Sequence, residues 1–128
     1  MILLLDTTVL IDVLRARAQR RQLLAELVEA GHTLATTAIN VGELYAGMRA
    51  GEEARTEALL GNLACYAITE RIARKAGTLK RDFRQQGITL SLTDMIVAAT
   101  AMEENLTLMT DNRRDFPMPE LKLYPLQP

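Results

Sequence analysis

The sequence predicts an α/β fold in which a mostly parallel sheet of four to five strands is covered by helices on both faces. Short apolar runs of strand length alternate along the chain with longer segments whose apolar residues repeat at helical spacing. The first run, Ile2–Leu5, is apolar at every position, as expected of a strand that is buried on both faces. Because a helix-sized connection separates successive strands, parallel pairing is favoured.

Five segments have the length and residue types of strands and end at polar or turn-forming residues. They span residues 2–5, 32–36, 64–68, 106–109 and 121–124, and the last is a short run between prolines. Helical spacing and capping signals predict helices over residues 9–14, 22–29, 37–48, 52–62, 69–87 and 95–102. The last of these helices is apolar on nearly every side, so we expect it to be buried.

Composition limits the class of protein. The chain has 128 residues and 48% hydrophobic content, which suits a single domain over residues 1–128 without disulfides, and Cys65 is expected to be a small core residue. A net charge of −1, with three tyrosines and two phenylalanines, provides neither a basic footprint nor a stacking platform for nucleic acid. Neither a signal peptide nor an apolar run near the roughly 20 residues of a membrane span is expected. The predicted compartment is therefore the cytoplasm, with no membrane contact.

Five acidic residues stand out because each lies beside an apolar run, at the end of a predicted strand or early in a helix. They are Asp6, Glu43, Asp94, Asp111 and Asp115. Residues that follow parallel strands gather at one edge of the sheet, so these acids are expected to converge. Several carboxylates in one place repel each other unless a cation compensates. Oxygen ligands favour Mg²⁺ or Mn²⁺, whereas zinc would require histidines or cysteines that this chain barely has.

A divalent ion in such a site can lower the pKa of a bound water and neutralise charge on a phosphate. Hydrolysis of a phosphodiester then needs no protein nucleophile. The chain accordingly lacks the G-x-S-x-G, Walker and G-x-G-x-x-G motifs, and a single histidine excludes a histidine pair.

Each acid also has a purely structural interpretation. Asp6 can cap the following helix, and Asp94 can be the acid of a capping box that starts at Ser91. Glu43 can be a solvated helix residue, and the last two acids can lie in a polar turn. Asp12, three residues before Arg15, is interpreted as half of an ion pair on a helix surface.

Four short motifs in order resemble the PIN-domain family, and within it the VapC toxins of bacterial toxin–antitoxin pairs. They are LDTTVLID at residues 5–12, TAINVGELYAG at 37–47, LTDMIVAATA at 92–101 and LMTDNRRDF at 108–116, and they cover nearly the whole chain. The resemblance implies a PIN-like three-layer sandwich in which Asp6, Glu43 and Asp94 bind Mg²⁺ or Mn²⁺. It further implies an endoribonuclease acting on RNA, a homodimer, and inhibition by a cognate VapB-like antitoxin.

The identity of the fourth acid stays open. Aligned on Thr110 and Phe116, the last motif assigns this role to Asp115 and places Asn112 at its central position. Closeness to the strand end assigns it to Asp111 instead. The polar neighbours Thr7, Thr110 and Asn112 are expected to hydrogen-bond the ligands.

Two other functions compete with this prediction. A PIN-like module that binds RNA or protein without cleaving would have the same fold. A phospho-acceptor receiver domain would need a second acid beside Asp6, where this chain has Thr7 and Thr8. Retention of the acids favours an enzyme, and its RNA target is not encoded in any motif.

Overall fold

The sheet has four strands, all parallel. The computed structural model describes residues 1–126, and its strands are β1 (Ile2–Leu5), β2 (Thr33–Thr37), β3 (Ala64–Tyr66) and β4 (Thr107–Met109). Their order is β3-β2-β1-β4, with β1 between β2 and β4. The predicted α/β class and parallel sheet are confirmed.

Within residues 1–126, six α-helices connect and cover these strands. They are α1 (Thr7–Leu14), α2 (Arg20–Glu29), α3 (Ala38–Ala46), α4 (Glu53–Leu60), α5 (Glu70–Gln85) and α6 (Leu92–Glu103), and a short 3₁₀ turn follows β4 at Arg113–Asp115. No helix within residues 1–126 combines the length and the hydrophobicity that crossing a membrane would require.

Strand β1 separates two hydrophobic cores. Leu3 and Leu5 pack with the residues of α1 and α2, whereas Leu4 packs on the opposite face with those of α5 and α6. All three leucines are fully buried, and each contributes about 1.5–3 kcal/mol by leaving water. The alternation of side chains along a strand thus explains why an uninterrupted apolar run serves both layers.

Helices α5 and α6 form an antiparallel hairpin. Arg71 Nε, at the start of α5, lies 2.9 Å from an oxygen of Glu103, at the end of α6. Near the other end, the Lys80 ammonium donates to the carbonyl of Leu90. This arrangement brings the first turn of α6, which carries Asp94, to the end of the hairpin where α5 finishes.

Two predictions about the edges of the sheet are wrong. The segment 121–124 forms a single parallel bridge from Leu123 to Leu108 and no fifth strand, because prolines flank it and limit its pairing. Cys65 is exposed rather than buried, because β3 is a three-residue strand at the edge of the sheet.

Candidate active site

Asp6 is fixed at the carboxyl end of β1. Its backbone N–H donates to the carbonyl of Met109 at 3.0 Å and so continues the ladder between β1 and β4. Its carboxylate accepts from the backbone N–H of Thr7 at 2.9 Å and from the hydroxyl of Thr110 at 2.8 Å. Asp6 is also the N-cap of α1. The predicted cap and the predicted ligand are therefore the same buried side chain.

Glu43 is joined to β1 through the hydroxyl of Thr7. Thr7 Oγ1 donates to Glu43 Oε1 at 2.7 Å and accepts from Asn40 Nδ2 at 2.9 Å. Asn40 is fully buried, and its Oδ1 accepts from the hydroxyl of Thr37 at 2.7 Å in the capping box that begins α3. A chain of hydrogen bonds thus runs from the start of α3 through Asn40 and Thr7 to the glutamate.

Sequence reasoning expected Thr7 beside the acids but missed Asn40. Asn40 occupies the third position after the cap residue Thr37, a spacing at which a polar side chain returns a hydrogen bond to the helix start. That spacing is the signal that would have marked Asn40 as a buried polar group of the site.

The structure brings Asp94 close to three of the other predicted acids. The backbone N–H of Asp94 donates to Ser91 Oγ at 3.0 Å, as the predicted cap requires. Burial raises the pKa of Asp94, and the negative charges of Asp115 and Glu43 raise it further. Burial likewise raises the pKa of Asp6, to which the charges of Asp94 and Glu43 also contribute.

Asp111 belongs to a different group of side chains. Its Oδ1 accepts from Arg20 Nη2 at 2.7 Å, and it lies beside Asp12 of α1. Burial raises the pKa of Asp12, and the nearby charge of Asp111 adds to this effect. The expected ion pair between Asp12 and Arg15 is wrong, because Arg15 pairs with Glu52 at 3.2 Å.

Thr110 connects the loop after β4 to the acids. Its hydroxyl donates to Asp6 and accepts from the backbone N–H of Asn112 at 3.0 Å. Within residues 1–126, Asn112 thus reaches the site through its backbone, and no hydrogen bond joins its side chain to an acid.

The donor set suits a hard divalent cation. Asp6, Glu43, Asp94 and Asp115 offer only carboxylate oxygens, and the groups that oppose the raised pKa values of Asp6 and Asp94 are neutral hydroxyls and a backbone N–H. In the described part of the chain, no three acidic, histidine or cysteine side chains are close enough to enclose an ion as they stand.

Comparisons with known proteins identify related sequences and structures. The model of the PIN-domain family matches residues 3–118, which contain all five of the predicted site acids. Ribonuclease VapC19 of Mycobacterium tuberculosis is 38% identical over 120 residues, which cover 93% of this chain and 96% of that protein. Ribonuclease VapC10 of the same organism is 36% identical over 116 residues, covering 91% and 86%.

Solved structures share the fold. VapBC2 from Rickettsia felis, bound to a DNA fragment from its promoter, superposes with a TM-score of 0.86 at 24% identity, covering 97% of this chain and 98% of that one. A toxin–antitoxin complex from Klebsiella pneumoniae has a TM-score of 0.76 at 30% identity, covering 92% and 93%.

The fold and the family match define a PIN domain, and the chain belongs to the PIN-domain family. Within that family, its similarity over nearly its whole length groups it with the VapC ribonucleases. The family and the three-layer fold predicted from the four motifs are confirmed.

Replacing Asp6 with Asn should raise the urea midpoint of the metal-free protein at pH 7. Because the pKa of Asp6 is raised on folding, the protonated form favours the folded state, and this stability is lost as the pH rises through the raised pKa. Asn keeps an oxygen for the Thr7 cap and carries no charge. The advantage should shrink as the pH falls through the raised pKa of Asp6 and should vanish below the ordinary aspartate pKa of about 3.9, where the carboxyl is neutral in both the folded and the unfolded state.

The matched control for this prediction is Asp82→Asn, which removes an exposed carboxylate from α5. Its midpoint should stay close to that of the wild type. Unfolding of Asp6→Asn at lower urea than the wild type, with EDTA present, would mean that the carboxylate of Asp6 stabilises the fold.

Replacing Thr7 with Val should destabilise the protein by about 1–3 kcal/mol, because the buried amide of Asn40 loses its acceptor. Thr7→Ser keeps the hydroxyl and should stay within about 1 kcal/mol of the wild type. Chemical unfolding of both variants measures the difference. Equal stability of the Val and Ser variants would show that the hydrogen bonds between α3 and Thr7 contribute nothing.

Proposed function

We propose that this protein is the toxin of a type II toxin–antitoxin pair, an endoribonuclease that hydrolyses RNA phosphodiester bonds with Mg²⁺ or Mn²⁺. The observation that carries the proposal is the gathering of four carboxylates at the carboxyl edge of the sheet, in a chain grouped with the VapC ribonucleases. PIN-domain ribonucleases of this type generally depend on a divalent metal ion.

Asp6, Glu43, Asp94 and Asp115 would hold the ion. When bound, it would supply a water of lowered pKa and neutralise charge that develops on the phosphate. The chain's own contribution is orientation: Thr110 holds one oxygen of Asp6, and Thr7 holds Oε1 of Glu43. Within residues 1–126, Glu43 Oε2 has no hydrogen-bond partner, so that oxygen remains available to a ligand or a proton.

The electrostatics of the site support Asp115 over Asp111 as the fourth acid. The charge of Asp115 acts on Asp94, and this supports a shared role for the two carboxylates. The carboxylate of Asp111 accepts from the guanidinium of Arg20 at 2.7 Å, and this positive charge offsets part of the negative charge that would attract a cation. We therefore assign Asp115 to the metal and Asp111 to the support of its loop.

The partners follow from the relatives. The Klebsiella structure is a toxin–antitoxin complex and the Rickettsia structure is VapBC2, and by similarity we propose a VapB-like antitoxin for this chain. The homodimer is proposed from the family resemblance alone. The ribonuclease names of the relatives support RNA as the substrate. The cytoplasm is proposed as the compartment from the family resemblance. A silent RNA- or protein-binding module is the alternative, and the metal requirement below distinguishes the two.

The purified protein should cleave single-stranded RNA only when Mg²⁺ or Mn²⁺ is present and should leave a 5′-phosphate, because attack by water expels the 3′ oxygen. Cleavage and end chemistry are followed on a labelled RNA with and without EDTA. Asp94→Asn should lower the rate by at least about 100-fold, as expected when a metal ligand is removed. Cleavage that persists in EDTA, or a 2′,3′-cyclic phosphate product, would contradict the mechanism.

Expression of the wild-type chain without an antitoxin should arrest bacterial growth, and Asp115→Asn should relieve the arrest. Asp82→Asn removes the same charge from an exposed position on α5 and should leave the arrest intact. Colony counts after induction, with protein levels matched by immunoblot, make the comparison. Full arrest by Asp115→Asn would remove that residue from the metal site.

A further inference from the structure

The turn between α1 and α2 contains three non-glycine residues in the left-handed backbone region. Ala16, Ala18 and Gln19 have φ angles of 53°, 53° and 55°. Residues with a Cβ adopt this region at a cost in free energy, and they remain there only where the surrounding structure requires it. Helix capping does not account for the requirement, because no side chain among residues 1–126 caps the start of α2.

The turn positions the side chain of Arg20, the first residue of α2. Arg20 is only 6% exposed, and its Nη2 lies 2.7 Å from an oxygen of Asp111, which is 91 positions further along the chain. Asp12 of α1 stands beside the same pair, since the charges of Arg20 and Asp111 both act on it. The Arg20 cluster, as we call these three residues, thus joins α1, α2 and the loop after β4.

Asp111 opens the loop that carries Asp115. Only residues 112–114 separate the two acids, and Arg113–Asp115 forms a single 3₁₀ turn. The N–H of Asp115 donates to the carbonyl of Asn112 at 3.0 Å, so a shift at the start of the loop is passed to Asp115 through the backbone. The far end is anchored by Phe116, which is 2% exposed.

We propose that Arg20 is a positioning residue for the metal-binding acids: by holding Asp111, it fixes the loop that presents Asp115 to Asp94. The inference rests on the proposed function, in which Asp115 is a metal ligand. Arg20 itself touches neither metal nor substrate in this scheme. The strained backbone of the turn is explained by the need to place a buried guanidinium beside Asp111, where the loop after β4 begins.

The charge of Arg20 alone would have the opposite effect on metal binding. A guanidinium near an anionic site repels an incoming divalent cation, so its removal should strengthen binding if charge were its whole contribution. Loss of a positioning contact should weaken binding instead. The sign of the change in Mn²⁺ affinity therefore separates positioning from simple electrostatics.

The experiment measures Mn²⁺ binding by the full-length protein, by calorimetry or by the spectrum of free Mn²⁺, without RNA. Arg20→Met should weaken binding about 10- to 100-fold, the range seen when a residue that orients a metal ligand is lost. Arg20→Lys keeps the charge and can reach one oxygen of Asp111, so it should recover part of the affinity. Circular dichroism confirms that each variant is folded at the temperature used.

The matched control is Arg15→Met, which removes a partly buried arginine from an ion pair with Glu52. It should lower the thermal midpoint while leaving Mn²⁺ affinity unchanged. If Arg20→Met fails to fold, Asp111→Asn carries the test, because it breaks the same pair from the loop side.

A double-mutant comparison completes the design. Asp111→Asn should weaken Mn²⁺ binding in the wild-type background and should have little further effect when Arg20 is already Met. An equal loss in both backgrounds would make Asp111 a ligand and overturn the proposal, as would undiminished binding by Arg20→Met. A wild-type protein that binds no Mn²⁺ would overturn the proposed function itself.

Discussion

Burial of β1 between two helical layers is the constraint on which the rest of the molecule depends. Its three leucines supply both cores, and its position between β2 and β4 satisfies its backbone on both sides. Asp6 directly follows β1. Burial of this strand between β2 and β4 therefore fixes a carboxylate at the centre of the carboxyl edge. The other acids reach the same edge on elements that β1 organises: α3 after β2, α6 against the sheet, and the loop after β4.

The charged carboxylates of the site lower the stability of the metal-free protein. The pKa values of Asp6 and Asp94 are raised because burial and mutual repulsion disfavour the charged carboxylates that metal binding requires. The supporting groups around them are neutral threonine and serine hydroxyls, which orient the acids without cancelling their charge. A binding cation would relieve this repulsion, so affinity for metal and reduced stability of the metal-free protein have the same origin.

Local patterns in the sequence were sufficient for the parts of the structure that local forces determine. The apolar run of β1, the cap at Asp6 and the Ser91 cap before Asp94 each depend on neighbours within four residues, and each was predicted. The order of the strands and the fates of Asp111 and Asp12 depend on contacts between distant segments. No periodicity in a single sequence reveals that Arg20 reaches Asp111 across 91 positions.

The errors have a similar origin. Cys65 has the residue type of a core position, but β3 lies at an edge, a fact of topology rather than of composition. Asn40 was overlooked although its spacing from Thr37 is that of a capping partner, and its bond to Thr7 depends on a contact between α3 and α1 that the sequence does not show. Of the three neutral groups expected beside the acids, Thr7 and Thr110 bond them through their hydroxyls, whereas Asn112 takes part through its backbone N–H.

The segment that failed to become a fifth strand has a protective consequence. Lys122 and Tyr124 bond through their backbones to both polar groups of Leu108, at 2.8 Å each, and so occupy hydrogen-bonding positions on the outer side of β4. Pro125 follows at once and has no N–H to donate to a further partner. An open strand edge invites pairing with other chains and growth into aggregates. Here the segment 121–124, which is followed by a proline, covers one edge of the sheet, and β3 at the other edge has only three residues. The sheet therefore offers little open edge for pairing with another chain.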